Sequence, residues 1–295
     1  MAILVMALWG VNFVVIRVGL DNFPPILFSA LRFTAVAVPA VLFVGRPRVP
    51  WRWILAVGFA LGVVKFSLLF AGMAAGMPTG LASLVLQCQV VFTAAFAVVL
   101  LRERPGARQV LGTLIAAAGI VLVAARPGPE RPLTAMLLVI GAGAAWGIAN
   151  IAMRKANAED MLRFMVWVSA VASLPLISLS LLIEGPERIG AALGSLDLAG
   201  IGAVAYVAVV ATLFGFGVWG MLIRRYGAST IAPFSMLAPV FAVIASALLL
   251  GETMGALEIA AGVLVIGGVL LATVRVRPAA APPLPLAPVP VAEAV

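Results

Sequence analysis

The chain has 295 residues, of which 64% are hydrophobic and only 10% are charged. Soluble domains are about half apolar and a quarter charged, so this composition excludes an ordinary soluble domain and predicts a polytopic membrane protein. The net charge of +8 does not indicate a nucleic-acid ligand, because the basic residues stand at many helix ends and form no single patch. Short strands of alternating apolar and polar residues, which are typical of a transmembrane barrel, do not occur, so the predicted fold class is an all-α membrane protein.

Charged clusters and Pro/Gly breaks divide the chain into ten predicted spans, each close to the length of apolar helix that crosses a bilayer. In chain order they cover residues 2–20, 25–45, 52–73, 79–101, 107–125, 132–154, 163–184, 197–220, 228–250 and 255–274. Met1 leads into an apolar run without a basic segment or a small-residue cleavage site, so we interpret this run as the first span rather than a signal peptide. The Pro/Ala-rich stretch 275–295 is expected to be a disordered tail.

Basic residues segregate between the two sides of the predicted bundle. Thirteen stand on one side: Arg46, Arg48, Arg52, Arg102, Arg104, Arg108, Arg154, Lys155, Arg163, Arg224, Arg225, Arg275 and Arg277. Four stand on the other side: Arg17, Arg126, Arg131 and Arg188. Because cytoplasmic loops carry the excess of Lys and Arg, this bias predicts a multi-pass protein of a bacterial-type inner membrane with both termini and the tail in the cytoplasm.

The two halves of the chain repeat each other. The segment "ALWGVNFVVIR" (7–17) returns 137 residues later as "AAWGIANIAMR" (144–154), and "VVFTAAFAVVLLRERPGARQ" (90–109) aligns with "PVFAVIASALLLGETMGALE" (239–258) at an offset of 149. The aligned pairs are Trp9 with Trp146, Gly10 with Gly147, Arg17 with Arg154, Phe92 with Phe241, Glu103 with Glu252, Gly106 with Gly255 and Gly119 with Gly268. Matches at both ends of each half, in order, predict two repeats, residues 1–126 and 132–274.

Each predicted repeat contains five spans, so the second must insert upside down relative to the first. The predicted fold is therefore ten transmembrane helices in two inverted five-helix repeats. Inverted repeats of this kind are typical of alternating-access transporters, whose substrate site lies near the midplane between the halves.

Lys65 is the most unusual residue of the predicted spans. It stands in the apolar stretch "GVVKFSLLF" (62–70), about 20 Å from the start of its span at a rise of 1.5 Å per residue. A charge at that depth normally faces a cavity or a partner, and every Asp and Glu stands at a helix end, in a loop or in the tail. Three interpretations stay open: a cavity in which Lys65 binds a substrate carboxylate, snorkelling towards the interface, and a structural role satisfied by the backbone.

Other candidate site residues converge on the same spans. Thr79, Ser83 and Gln87 recur every four residues and share one face of the fourth span. Trp9 and Asn12 are neighbours on the first span, and Trp146 and Asn150 on the sixth. Aromatic candidates are Tyr206, Phe214 and Trp167. The alternatives are interhelical hydrogen bonds for the amides and ordinary packing for the aromatic rings.

Three prolines and several absences bear on the mechanism. Pro78, Pro233 and Pro239 are predicted hinge or gate positions, with tolerated kinks as the alternative. Arg32 is interpreted as a structural anchor near the membrane interface. With no His and no acidic residue within a span, the sequence predicts no enzyme, no metal site and no cofactor, and no Walker motif indicates an ATPase.

The motifs at the ends of the halves resemble those of a known family. "A-x-W-G" with Arg seven residues after the Gly, "LRF" in the second span and "LLxE" ending the fourth span of each half are similar to the EamA domains of the drug/metabolite transporter superfamily. The resemblance covers residues 1–274 and is greatest to the aromatic amino acid exporters of that superfamily.

This resemblance implies an exporter of amino acids, aromatic and other neutral ones, with spans 1, 3, 4, 6, 8 and 9 around a central cavity. Export of drugs or other small metabolites is the alternative, and a channel is a more remote one. The expected partners are a small-molecule substrate and the lipid bilayer, without nucleic acid, and the oligomeric state stays open.

Overall fold

The structure is a computed structural model that describes residues 1–124 and 132–273. All regular elements in these two ranges are helices, which confirms the all-α prediction. The predicted tail at 275–295 and the basic residues Arg126, Arg131, Arg275 and Arg277 lie outside the described residues.

Ten apolar helices form the bundle within the described residues. In chain order they are α1 (Ala2–Asn22), α2 (Pro25–Phe43), α3 (Trp51–Ala74), α4 (Thr79–Leu101), α5 (Ala107–Ala124), α6 (Leu133–Ala156), α7 (Met161–Ile183), α8 (Leu198–Tyr226), α9 (residues 228–250) and α10 (Ala256–Thr273). Eight have the length and hydropathy of a membrane span, and α5 and α9 contain shorter apolar helices. The predicted ten-helix fold is confirmed.

The helix boundaries differ from the predicted spans mainly around α8. This helix extends to Tyr226, beyond the predicted end at residue 220, and a short, mostly exposed helix at Pro186–Gly194 precedes it. Hydropathy missed the short helix because its exposed residues include Glu187 and Arg188. Odd-numbered helices begin at one end of the bundle, here called the amino-terminal end, and even-numbered helices begin at the opposite end.

The ends of the helices follow from local sequence. Pro24, Pro50, Pro78 and Pro132 each occupy the position before the first helical residue, where the missing N–H of proline costs nothing. At the other ends, α4 and α9 stop at Arg102 and Gly251, which both adopt the left-handed conformation with φ of 55° and 68°. These two residues are related by the same offset of 149 that aligns the halves.

The closest helix pairs join the first half of the chain to the second. They are α5 with α10, α3 with α6, α1 with α9, α2 with α7, α4 with α6 and α1 with α8. Exchanging each helix for its counterpart in the other half gives the same set of pairs, because α1–α9 becomes α6–α4, α3–α6 becomes α8–α1, and α2–α7 and α5–α10 become themselves.

Glycines allow two of these pairs to pack closely. A Cβ atom on Gly10 would overlap Phe241 and lie 2.8 Å from the carbonyl oxygen of Ala238, on α9. A Cβ atom on Gly147 would lie 2.9 Å from the Cβ atom of Phe92, on α4. Gly10 aligns with Gly147 and Phe92 with Phe241, so the two contacts are the same contact made once by each half.

Candidate functional site

Four helices lose regular α-helical geometry in their interior. In α3 and α8 the chain forms π-helical turns at Gly58–Lys65 and Tyr206–Phe214. In α4 a turn at Leu86 and Gln87 interrupts the helix, and in α9 the residues Ala232–Met236 form a 3₁₀ helix. π-helical turns are frequent at functional sites, and discontinuous helices form the binding sites of many transporters.

The interruptions occur at matching positions of the two halves. Lys65 and Phe214, which end the π-helical turns, are related by the offset of 149, and so are Gln87 and Met236. The Nε2 atom of Gln87 donates to the sulfur of Met236 at 3.5 Å. Counterpart residues thus meet where α4 and α9 are interrupted.

The π-helical turn of α8 is tied to α1 by two side chains. Nε1 of Trp9 donates to the carbonyl oxygen of Ala211 at 2.9 Å, and the hydroxyl of Tyr206 donates to the carbonyl oxygen of Leu8 at 2.9 Å. The predicted candidates Trp9 and Tyr206 therefore lie together, and their polar atoms connect the two halves.

Lys65 lies inside the bundle, at the end of the π-helical turn of α3. Its side chain is 5% exposed, and its ammonium nitrogen lies 3.4 Å from the ring centroid of Phe66 and 4.7 Å from that of Trp146. Cation–π contacts of this kind stabilise an ammonium group without neutralising it. The structure therefore brings together two predicted site residues, Lys65 and Trp146, and this burial disfavours snorkelling.

Arg32 is also buried inside the bundle, so its interpretation as an interface anchor is wrong. The residue is 3% exposed, and its guanidinium carbon lies 4.1 Å from the ring centroid of Phe66. Its Nη2 atom donates to the hydroxyl of Thr212, in the π-helical turn of α8, at 3.0 Å. The position of Arg32, seven residues after the start of an apolar helix, could have predicted that it is a candidate site residue. The same argument from depth singled out Lys65.

The polar residues of α4 have separate environments. The backbone nitrogens of Thr79 and Gly80 donate to the carboxylate of Glu252 at the opposite end of the bundle, at 2.7 and 2.9 Å. The hydroxyl of Ser83 donates to the carbonyl oxygen of Gly80 at 2.6 Å. All three predicted residues are buried, but of the three only Gln87 lies at the interruption of the helix.

The two predicted asparagines differ in their partners. Asn150 donates to the side chains of Gln89 at 2.6 Å and Thr93 at 3.0 Å, which is the interhelical hydrogen bonding that the sequence left as an alternative. Asn12 is 8% exposed, and its Oδ1 atom has no hydrogen-bond partner among the described residues. The acceptor oxygen of Asn12 is therefore unsatisfied inside the described part of the bundle, and its contact with a ligand stays a prediction.

Two predicted aromatic residues have other surroundings. Nε1 of Trp167 donates to the carbonyl oxygen of Val44 at 3.3 Å, and its ring packs against Trp51 at 5.6 Å, near the amino-terminal end. Phe214 is 42% exposed.

The three prolines stand at or near helix starts. Pro78 precedes α4, and Pro239 lies in the first turn of the regular part of α9, Leu237–Leu250, where proline is tolerated. Pro233 belongs to the 3₁₀ helix, and its side chain lies outside the described part of the chain. Their role as hinges or gates stays a prediction.

A separate pocket of about 290 Å³ lies at the amino-terminal end of the bundle, and no predicted site residue lines it. Its lining residues are Pro47, Arg48, Val49, Glu159, Asp160, Arg163 and Arg224. Within residues 1–124 and 132–273, no group of three or more His, Cys, Asp or Glu side chains could hold a metal ion.

Apolar helices interrupted in their interior, with buried cations beside aromatic rings, are the features of a small-molecule membrane transporter. A model of the EamA-like transporter family matches residues 1–125 and again residues 133–274. The chain belongs to the EamA-like transporter family, as its motifs predicted.

Relatives of nearly equal length carry related names. The chain is 38% identical over 277 residues to a probable amino-acid metabolite efflux pump of Salmonella typhimurium, covering 92% of this chain and 93% of that protein. It is 34% identical, with the same coverage, to a probable amino-acid metabolite efflux pump of Escherichia coli. A probable terminal-alkyne amino-acid exporter of Streptantibioticus cattleyicolor is 26% identical over 278 residues. Among the solved structures that match is a crystal structure with a TM-score of 0.59 at 22% identity, covering 91% of this chain and 93% of that one, which shows the fold alone.

Proposed function

We propose that this transporter exports amino acids, aromatic and other neutral ones among them, across a bacterial-type inner membrane. The observation that carries the proposal is the similarity, over 92% of the chain, to two amino-acid metabolite efflux pumps. The chemistry around Lys65 agrees with it, because a buried ammonium group is suited to binding a carboxylate. The described Asp and Glu residues stand at helix ends or in connections, so a substrate could supply the missing negative charge.

The proposed mechanism is alternating access by two inverted repeats. The two matches of the family model, the exchange of helix pairs between halves and the reciprocal contacts of Gly10 and Gly147 support it. The contact between Gln87 and its counterpart Met236 is expected for residues near a two-fold axis. Two copies in opposite orientation can exchange conformations, which converts an inward-open state into an outward-open one.

The proposed site residues fall into groups with different roles. Lys65 would bind the substrate carboxylate, with Trp146 beside it, and Asn12 and Gln87 would supply polar contacts near the interrupted helices. Trp9 and Tyr206 would hold the π-helical turn of α8 against α1. Ser83 and Asn150 are hydrogen-bonded within the bundle through their side chains and Thr79 through its backbone nitrogen, so these three residues would support the site rather than contact the substrate.

The positive-inside rule supports a cytoplasmic amino-terminal end of the bundle. In this orientation the pocket at Arg48 and Arg224 would face the cytoplasm, and substrate would leave at the opposite end. The proposed activity is transport without covalent chemistry.

A proteoliposome uptake panel tests this proposal. The purified protein is supplied with radiolabelled neutral amino acids, organic cations and phosphorylated metabolites, and protein-free liposomes serve as the control. We expect saturable flux of phenylalanine and other neutral amino acids alone. Flux of organic cations alone would contradict the proposal and favour a drug exporter.

A further inference from the structure

Arg32 has unused hydrogen-bonding capacity inside the bundle. Of its guanidinium nitrogens, Nη2 donates to Thr212, while Nε and Nη1 are buried without a hydrogen-bond partner among the described residues. An unpaired, buried polar group costs free energy, and a charged one costs more. A guanidinium group in this state is poised to accept an anionic ligand.

Arg32 and Lys65 meet at one aromatic ring. The Arg32 guanidinium carbon and the Lys65 ammonium nitrogen lie 4.1 and 3.4 Å from the ring centroid of Phe66, so the two cationic groups are at most about 7.5 Å apart. Like charges within this distance repel each other, and an anion that contacts both groups would offset the repulsion. A carboxylate has two oxygen atoms and accepts charge-assisted hydrogen bonds of about 2.7–2.9 Å from such donors.

A second arginine in the same tripeptide shows that the local sequence alone does not bury Arg32 inside the bundle. The tripeptide Leu-Arg-Phe occurs at residues 31–33 and again at residues 162–164. In the second copy, Arg163 is exposed and its Nε atom lies 3.8 Å from the carboxylate of Asp160. The same local sequence therefore places one arginine at the surface beside an acid and the other inside the bundle without one.

We propose that Arg32 contacts the substrate and forms, together with Lys65, a two-cation site that recognises the carboxylate group alone. This inference rests on the proposed amino acid export and extends its substrate class to carboxylates that lack a free ammonium group. The described acidic residues stand at helix ends or in connections, so none is placed like Lys65 and Arg32 in a helix interior to bind an ammonium group. N-acylated amino acids fit the site, whereas amino acid amides, which keep the ammonium and lose the carboxylate, do not.

The first experiment compares competitors for uptake of radiolabelled phenylalanine by wild-type proteoliposomes. N-acetyl-phenylalanine is expected to inhibit at concentrations comparable to unlabelled phenylalanine, and phenylalaninamide is expected to require at least about tenfold more. Stronger inhibition by the amide than by the N-acetyl compound would overturn the inference, because the ammonium would then be the recognised group.

The second experiment changes Arg32 itself. Arg32→Gln removes the charge and is expected to raise the KM for phenylalanine about tenfold or more, while Arg32→Lys restores part of the affinity. Arg188→Gln is the control, since it makes the same change at an exposed arginine that does not line the pocket at the amino-terminal end, and it should transport like wild type. Melting temperature and gel filtration in detergent establish folding, and N-acetyl-phenylalanine competition is measured on Arg32→Lys if Arg32→Gln does not fold.

The outcomes separate this inference from the proposed function. Wild-type protein that moves neither phenylalanine nor N-acetyl-phenylalanine would contradict amino acid export itself. Wild-type protein that moves phenylalanine, with folded Arg32→Gln showing an unchanged KM, would contradict only the role of Arg32. A raised KM together with selective inhibition by the N-acetyl compound would support both.

Discussion

At the residue scale, Lys65 combines deep burial with contacts that leave its charge uncompensated. The rings of Phe66 and Trp146 stabilise the ammonium group, but neither carries a negative charge. The burial of a cation in a membrane protein usually marks a substrate or ion pathway. The location of Lys65 at the end of a π-helical turn, where the helix is irregular, is consistent with that role.

We predict that Lys65→Ala lowers phenylalanine transport tenfold or more, because a hydrogen bond to a charged group contributes about 1.5–3 kcal/mol. Lys65→Gln should recover little, since the amide donates without charge. The measurement is initial uptake in proteoliposomes, with the insertion of each variant verified. Lys155→Ala, at an exposed lysine, is the control and should be unchanged. Wild-type flux in Lys65→Ala would show that the lysine only packs against aromatic rings.

At the element scale, carboxylates from the second half cap helices of the first half at the opposite end of the bundle. Glu252 accepts from the backbone nitrogens of Thr79 and Gly80, and Glu184 accepts from those of Ile26 and Leu27 at 2.7 and 2.8 Å. The first N–H groups of a helix have no partner within it, and the helix dipole favours an anion there. These caps therefore stabilise α4 and α2 and hold the halves together.

We predict that Glu252→Gln lowers the melting temperature by several degrees, because the amide keeps one acceptor oxygen but loses the charge at the start of α4. Hydrogen bonds from charged groups contribute about 1.5–3 kcal/mol, of which the amide retains a part. Thermal unfolding in detergent gives the measurement, and Glu159→Gln, at an exposed position, is the matched control. Equal melting temperatures for the two variants would mean that the cap contributes nothing to stability.

At the scale of the whole molecule, stability depends on the contacts between the two halves. The pairs α1–α9 and α4–α6 approach closely because Gly10 and Gly147 leave room for Phe241 and Phe92. Without a hydrophobic driving force in lipid, such close packing is a main source of helix association. The same two glycines would therefore control the stability of both symmetric interfaces.

We predict that Gly10→Ala destabilises the protein, because the added Cβ atom overlaps Phe241 and lies 2.8 Å from the backbone of α9. Overpacking of this kind costs about 1–3 kcal/mol. Gly202→Ala is the control, since nothing lies within 4 Å of an added Cβ atom there, and alanine favours the helix. The melting temperature should fall for Gly10→Ala and stay equal or rise for Gly202→Ala, and the reverse order would contradict the packing of α1 on α9.

The sequence by itself determined the helical class, the ten spans, the family and the alignment of the halves. Hydropathy is a local property, and a bilayer leaves the helix as the way to satisfy the backbone of each long apolar run, so the runs could be located without the tertiary structure. The alignment paired Gly10 with Gly147 and Phe92 with Phe241, and the structure shows the same glycine–phenylalanine contact once in each half. The depth of Lys65 in an apolar run left snorkelling open as an alternative, and the structure shows the residue buried.

Only the tertiary structure decided which polar groups have partners. The two copies of Leu-Arg-Phe are identical in sequence, yet Arg32 is buried beside Phe66 while Arg163 faces Asp160 at the surface. The sequence left ligand contact and interhelical hydrogen bonding open for Asn150, and the structure shows its bonds to Gln89 and Thr93. No sequence pattern indicated the π-helical turns, and residues that bind the turn of α8 lie far away in the chain: Trp9 donates to the carbonyl oxygen of Ala211, and Arg32 donates to the hydroxyl of Thr212. The partners of Arg32, Asn150 and Trp9 come from distant parts of the chain, and the pattern of neighbouring residues does not determine them.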